Sequence, residues 1–100
     1  MHADAALIWQ LTDLPRTRVH RFGDEGLVFN PLSWETHLVS DPALRVVEVL
    51  ASGPRREADL ASELAAEDDE PDVASVRNRL KPLLDELRNL GLVSAHAGAP

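Results

Sequence analysis

The 100 residues contain no cysteine, which removes structural disulfides, cysteine-ligated zinc and thiol catalysis in one step. Tyrosine is missing as well, and aromatic side chains make up only 4% of the chain. With 44% hydrophobic residues, drawn mainly from Leu, Ala and Val, the core must be aliphatic. Basic charge is scarce: ten Lys and Arg stand against seventeen Asp and Glu, for a net charge of −7. That balance argues against a protein whose main work is gripping phosphate backbones, which takes a concentrated basic face. No apolar run approaches the roughly 18 residues of a membrane span. The opening "MHADAALIWQLTDLP" has no basic stretch leading into a long apolar segment, so it does not read as a signal peptide. A cytoplasmic protein is expected, with no membrane partner.

Catalytic signatures are equally sparse. "GDEG" (23–26) is not followed by Lys-Ser/Thr, and no G-x-G-x-x-G occurs, so no phosphate-cradling loop is present. The four histidines, His2, His20, His37 and His96, include no H-x-x-x-H or H-E-x-x-H pair, and no metal site is expected. No serine lies in a G-x-S-x-G elbow. Asp85-Glu86 falls on the outer face of a helix and Asp68-Asp69-Glu70 in an acidic loop, where solvated charge is the simpler reading. The Asp-Ser-Leu attachment site of an acyl carrier is missing too. Neither an enzyme nor a cofactor is expected.

A chain of this length buries one core, so a single domain spans residues 1–100, with its body at about 9–93 and loose termini. The apolar group Leu7, Ile8, Trp9, Leu11 and Leu14 is a short strand or a lead-in packed on the domain. "RVHRF" (18–22), "GDEG" (23–26) and "LVFN" (27–30) read as strand, turn and strand. Pro31 then fixes a second turn, and a third strand follows over 35–39. In that strand Trp34, Thr36 and Leu38 face one side, with Glu35, His37 and Val39 on the other.

Asp41 is the expected N-cap of a first helix, with Pro42 at its first position; the helix runs to about 52 and stops at Gly53-Pro54. A second helix covers about 57–67 and ends in "EDDEPD" (67–72). The third, about 72–90, carries the clearest period: Val73, Val76, Leu80, Leu83, Leu84, Leu87 and Leu90 fall within an arc of about 120°. Pro82 lies off that arc, where a bend would free a carbonyl toward water. Gly91 is the expected left-handed cap, followed by "LV" and a small-residue tail. The fold class is therefore α+β, winged helix-turn-helix-like, with a three-stranded antiparallel sheet followed by three helices.

Two features remain for function. Joined by tight turns, the three strands form a meander whose last strand lies at an edge. Its run Thr36-His37-Leu38-Val39 carries none of the Lys, Pro or inward charge that keeps other chains off an edge. On the third helix Arg77, Lys81 and Arg88 form a stripe beside the apolar arc, on the side edged by Leu84; long basic side chains lie along such a rim even without a ligand. Together they describe a groove with an open strand on one wall and a Leu-lined basic helix on the other, suited to an extended peptide with apolar and acidic residues.

With these residues placed, the chain resembles the PqqD-type peptide chaperones, the RiPP recognition element fold, and more narrowly the PqqD-related proteins of the HPr-kinase-related A system. The resemblance covers roughly 9–93. It rests on Trp9, on "GLVFNPLSWETHLVS" (26–40) with its Asn30 and Thr36-His37-Leu38, on "VVEVLASGP" (46–54) and on "LLDELRNLGLV" (83–93). It implies a non-catalytic protein that binds the leader of a ribosomally made precursor peptide and presents it to a modifying enzyme, with an HPr-kinase-like enzyme among the neighbouring partners. Carried over by position, the peptide-binding residues are Thr36, His37, Leu38 and Val39 on the strand and Arg77, Leu80, Lys81 and Leu84 on the helix. Pro82 departs from the family's pattern.

The alternative of another class is a winged-helix DNA-binding regulator, supported by the fold class and by Arg77, Arg79 and Lys81. The acidic loop over 67–72 would repel phosphates there. A small subunit that only stabilises an enzyme is a third reading. An open edge strand also permits a weak homodimer by self-pairing.

Overall fold

The computed structural model of the chain describes residues 7–12, 18–30 and 34–97. Its elements, in chain order, are β1 (Leu7–Leu11), β2 (Arg18–Phe22), β3 (Glu25–Asn30), β4 (Glu35–Ser40), α1 (Asp41–Leu50), β5 (Arg55–Arg56), α2 (Glu57–Glu67), α3 (Val73–Asn89) and β6 (Val93–Ala97). The fold is α+β and winged-helix-like, with the expected three-stranded antiparallel meander β2-β3-β4 ahead of the helices.

The meander turns more tightly than "GDEG" suggested. Phe22 pairs with Glu25, so only Gly23 and Asp24 form the turn and Gly26 belongs to β3, opposite Arg21 and Val39. Gly26, Val28 and Asn30 point to the core and are buried. In β4, Val39 is buried and His37 half-buried, while Thr36 and Leu38 face outward, the alternation a one-sided sheet requires. All five residues of β2 are exposed, so this strand projects as a wing. The turn assigned to Pro31 lies outside the described residues.

A second three-stranded sheet, in the order β5-β1-β6, accompanies the meander. The Leu7–Leu11 group is its central strand, with Trp9 opposite Arg55 on one side and Ala95 on the other. The small-residue tail is not loose where it is described: Val93–Ala97 pairs along the whole of β1, and His96 lies opposite Ile8. A strand of Ala, Ser and His has little strand preference of its own. Here the partner supplies the order.

α1 packs against both sheets, and α2 and α3 pack against the second. Ser40, rather than Asp41, is the N-cap of α1, and it makes no side-chain capping bond. Asp41 sits inside the first turn with its carboxylate engaged by Arg21 and Arg45, and an acid there also suits the positive end of the helix dipole. Ala43, Leu44, Val46, Val47 and Leu50 are its buried side. In α2 Leu60, Ala61, Leu64 and Ala65 are buried.

α3 begins with a working cap, Asp72 accepting from the Ser75 N–H at 3.2 Å. Val76, Leu80, Leu84 and Leu87 are buried, whereas Val73, at the helix start, is 36% exposed. The helix continues unbroken through Pro82, which is exposed. At its end the Gly91 N–H donates to the Arg88 carbonyl and the Leu92 N–H to the Leu87 carbonyl, both at 3.0 Å. That pair of bonds is a Schellman ending, and Gly91 takes the left-handed φ of 77° it demands. Among the described residues no helix is long and apolar enough to cross a membrane.

Candidate functional site

β4 hydrogen-bonds along one edge to β3; among the described residues its other edge has no strand partner. The six residues Glu-Thr-His-Leu-Val-Ser contain neither Lys nor Pro, so alternate N–H and C=O groups along that edge remain available to an added strand. Leu38 is 58% exposed on the outer face. On the inner face the Nε2 of His37 is buried without a hydrogen-bond partner among the described residues, as is the Trp9 indole nitrogen.

Where β4 runs into α1, a pocket of about 440 Å³ opens. Pro42 of α1, Leu64 of α2, and Val76, Leu80 and Leu83 of α3 form its apolar lining. Asp41, Arg45, Asp68 and Arg79 supply its charge. Three of these four are committed to close ion pairs: Asp41 with Arg21 and, at 3.2 Å, with the Nε of Arg45, and Arg45 with Asp68. Arg21 in turn holds Glu48 at 2.7 Å. The hydrogen bond from Arg21 keeps the Asp41 carboxyl below its ordinary value, and the Asp68 carboxylate raises the Arg45 guanidinium above its own. Arg79 is held more loosely, with 3.9 Å to Glu70 and a 64% exposed side chain.

The residues singled out from sequence fall in three groups. Thr36, His37, Leu38 and Val39 lie together on the open strand. Leu80 and Leu84 are 1% and 0% exposed, so both belong to the core, and Leu80 also forms part of the pocket lining. Arg77 and Lys81 are exposed. At 100° per residue they project beside Leu84, on the opposite side of the buried arc from Arg79 and Leu83. The structure thus brings Leu80 together with Val76, Arg79 and Leu83 at the pocket, and leaves Arg77 and Lys81 on the other rim. Leu83, Pro42 and Arg45 are not among the site residues expected from the sequence, and Arg79 is named there only for the DNA-binding alternative. The helical period identified Leu83 as inward, but only the packing of α1 and α2 reveals which rim borders a pocket.

Among the described residues no group of three His, Asp or Glu could hold a metal ion. The arrangement is that of a winged-helix-like domain with an open edge strand leading to an apolar pocket against its longest helix. No family model matches the chain, and no curated protein matches it. Among solved structures it is similar to TbiB1 in complex with the TbiA(beta) leader peptide. The TM-score is 0.67 at 19% sequence identity, over 88% of this chain and 98% of that one. The likeness is one of fold, and it spans nearly the whole of both chains.

Proposed function

We propose that the protein is a non-catalytic, PqqD-like peptide chaperone of the RiPP recognition element kind. It binds the leader of a ribosomally made precursor by strand addition at β4 and presents it to a modifying enzyme. The observation that carries this reading is the unguarded outer edge of β4, a strand followed directly by Asp41 and Pro42 on the rim of an apolar pocket lined from α1, α2 and α3. Backbone pairing along Thr36–Val39 supplies affinity, and pockets for alternate side chains supply selection. The fold shared with TbiB1, a protein solved with a leader peptide, supports the reading, as does the resemblance carried by "VFNP" and "THL". That resemblance extends to the PqqD-related proteins of the HPr-kinase-related A system, which makes an HPr-kinase-like protein the first enzyme partner to try. On the helix wall, Leu80 and Leu84 hold the groove's floor from within the core, while Arg77 and Lys81 are candidate rim contacts. The net charge of −7 disfavours the DNA-binding alternative.

Affinity capture from a native lysate, with mass spectrometry of the retained peptides, tests this. Native protein is compared with Thr36→Pro and His37→Pro, each first checked for folding. Neighbouring N–H groups on a strand point to opposite edges, so one of the two substitutions removes an N–H from the open edge. The expected result is a retained peptide that one folded variant loses. Retention of nothing, or equal retention by both folded variants, overturns strand addition at β4.

A further inference from the structure

The pocket beyond β4 has a specific electrical character, and that character says which peptide it takes. Its floor is apolar, built from Pro42, Leu64, Val76, Leu80 and Leu83, so it accommodates one aliphatic or aromatic side chain. On its rim Asp41, Arg45 and Asp68 are paired with one another and, with Arg21 and Glu48, form a continuous chain of alternating sign. Those groups are occupied and offer little to a ligand. Arg79 differs. Its side chain is 64% exposed, and its contacts are a 3.9 Å approach to Glu70 and a 3.5 Å bond from its Nε to the Ser75 carbonyl. It stands one helical turn before Leu83, on the same rim.

Resting on the strand-addition reading, we infer that Arg79 is the charge-reading residue of the groove: the bound segment places an apolar residue in the pocket and an Asp or Glu beside it, against Arg79. A peptide paired along Thr36–Val39 needs only two or three further residues, at about 3.3 Å each, to come level with Asp41 and Pro42. An acid next to the anchor then meets the loosely held guanidinium with bidentate geometry available. The competing cations Arg77 and Lys81 lie across the buried arc of α3 and do not border the pocket.

The test is selection from a displayed library of random 16-residue peptides, using native protein, Arg79→Glu, Arg79→Lys and Arg77→Glu. Arg79 is solvent-facing, so charge reversal there leaves the core untouched, and thermal unfolding verifies this for each variant. Native protein and Arg77→Glu should enrich sequences with an apolar residue and an Asp or Glu within two positions of it. Arg79→Glu should keep the apolar residue, exchange the acid for Lys or Arg, and bind the native-selected peptides on the order of tenfold more weakly; Arg79→Lys should retain part of the acidic preference. Peptides indifferent to Arg79→Glu, yet lost with Thr36→Pro or His37→Pro, overturn the inference and leave strand addition standing. A charge preference that follows Arg77→Glu overturns it in favour of the opposite rim. Failure of the native protein to enrich any peptide overturns both.

Discussion

Gly26 shows how closely one residue can tie the sheet to the helices. A Cβ built on it would lie 2.5 Å from Leu44 Cδ2 and 2.8 Å from Cδ1, and Leu44 is fully buried, so it has no free space to retreat into. Gly26→Ala should therefore destabilise the protein by about 1–3 kcal/mol, the usual cost of overpacking a filled core. Chemical denaturation with an unchanged m-value is the check. At the pocket, Leu84 and Leu83 separate structure from recognition. Leu84 has no exposed surface, so Leu84→Ala should cost about 2–5 kcal/mol of stability. Leu83, half-buried at the pocket, should lose less than Leu84 in the same unfolding measurement when changed to Ala, while weakening captured peptide by a larger factor. Equal stability losses at the two positions would contradict this division. The helical period placed both leucines on the inner arc, but periodicity carries no information about which of two inward residues meets a neighbour and which meets a gap.

At the level of elements, local chemistry accounts for what the sequence made legible. The meander was readable because Gly23-Asp24 and the residues after Asn30 interrupt β-branched and aromatic runs. α3 was readable because seven apolar residues keep one period. The end of α3 at Gly91 was readable for the same local reason, and it carries a second load: an added Cβ would sit 3.3 Å from the Asn30 Nδ2, the atom that donates to the Gly91 carbonyl at 3.3 Å. Gly91→Ala should thus combine left-handed strain with disturbance of the β3–α3 bond, for about 1–2 kcal/mol in total. Asn30→Ala should show part of that loss, and a thermal unfolding series of the two single variants and the double variant would reveal the coupling as non-additivity. The second sheet was not legible. β5 is two residues long and β6 is mostly small residues; each is a strand because β1, more than forty residues earlier, offers it a ladder. Long-range pairing leaves little trace in a local pattern. The cap of α1 lies one residue earlier than expected, at Ser40, and Asp41 is engaged by Arg21 from the distant wing as well as by Arg45 of its own helix.

That engagement of Asp41 extends across the whole molecule. Glu48, Arg21, Asp41, Arg45 and Asp68 form one chain of alternating charge that joins the projecting wing to both ends of the α1–α2 layer. Each pair is partly solvated, so singly it contributes little; a linked set with bidentate guanidinium geometry is the case in which surface charges do matter. Asp41 is the shared acceptor of two guanidinium groups, and the hydrogen bond from Arg21, the largest cause, holds its folded-state pKa below the ordinary 3.8. The sign follows directly. A depressed carboxyl pKa contributes stability that is complete above the unfolded value and is lost as pH falls through the folded one. The advantage of native protein over Asp41→Asn should accordingly be greatest near neutral pH and shrink as pH is lowered from about 5 toward 2. High salt should also reduce it at neutral pH, because these groups are within reach of counterions. Urea unfolding of both proteins across that pH range, at low and high ionic strength, reads the effect. A gap that stays constant with pH and salt would mean that Asp41 acts through its position in the first turn of α1 and not through its charge. The wing would then be held to the body by its sheet pairing to β3 and by the Arg21–Glu48 pair.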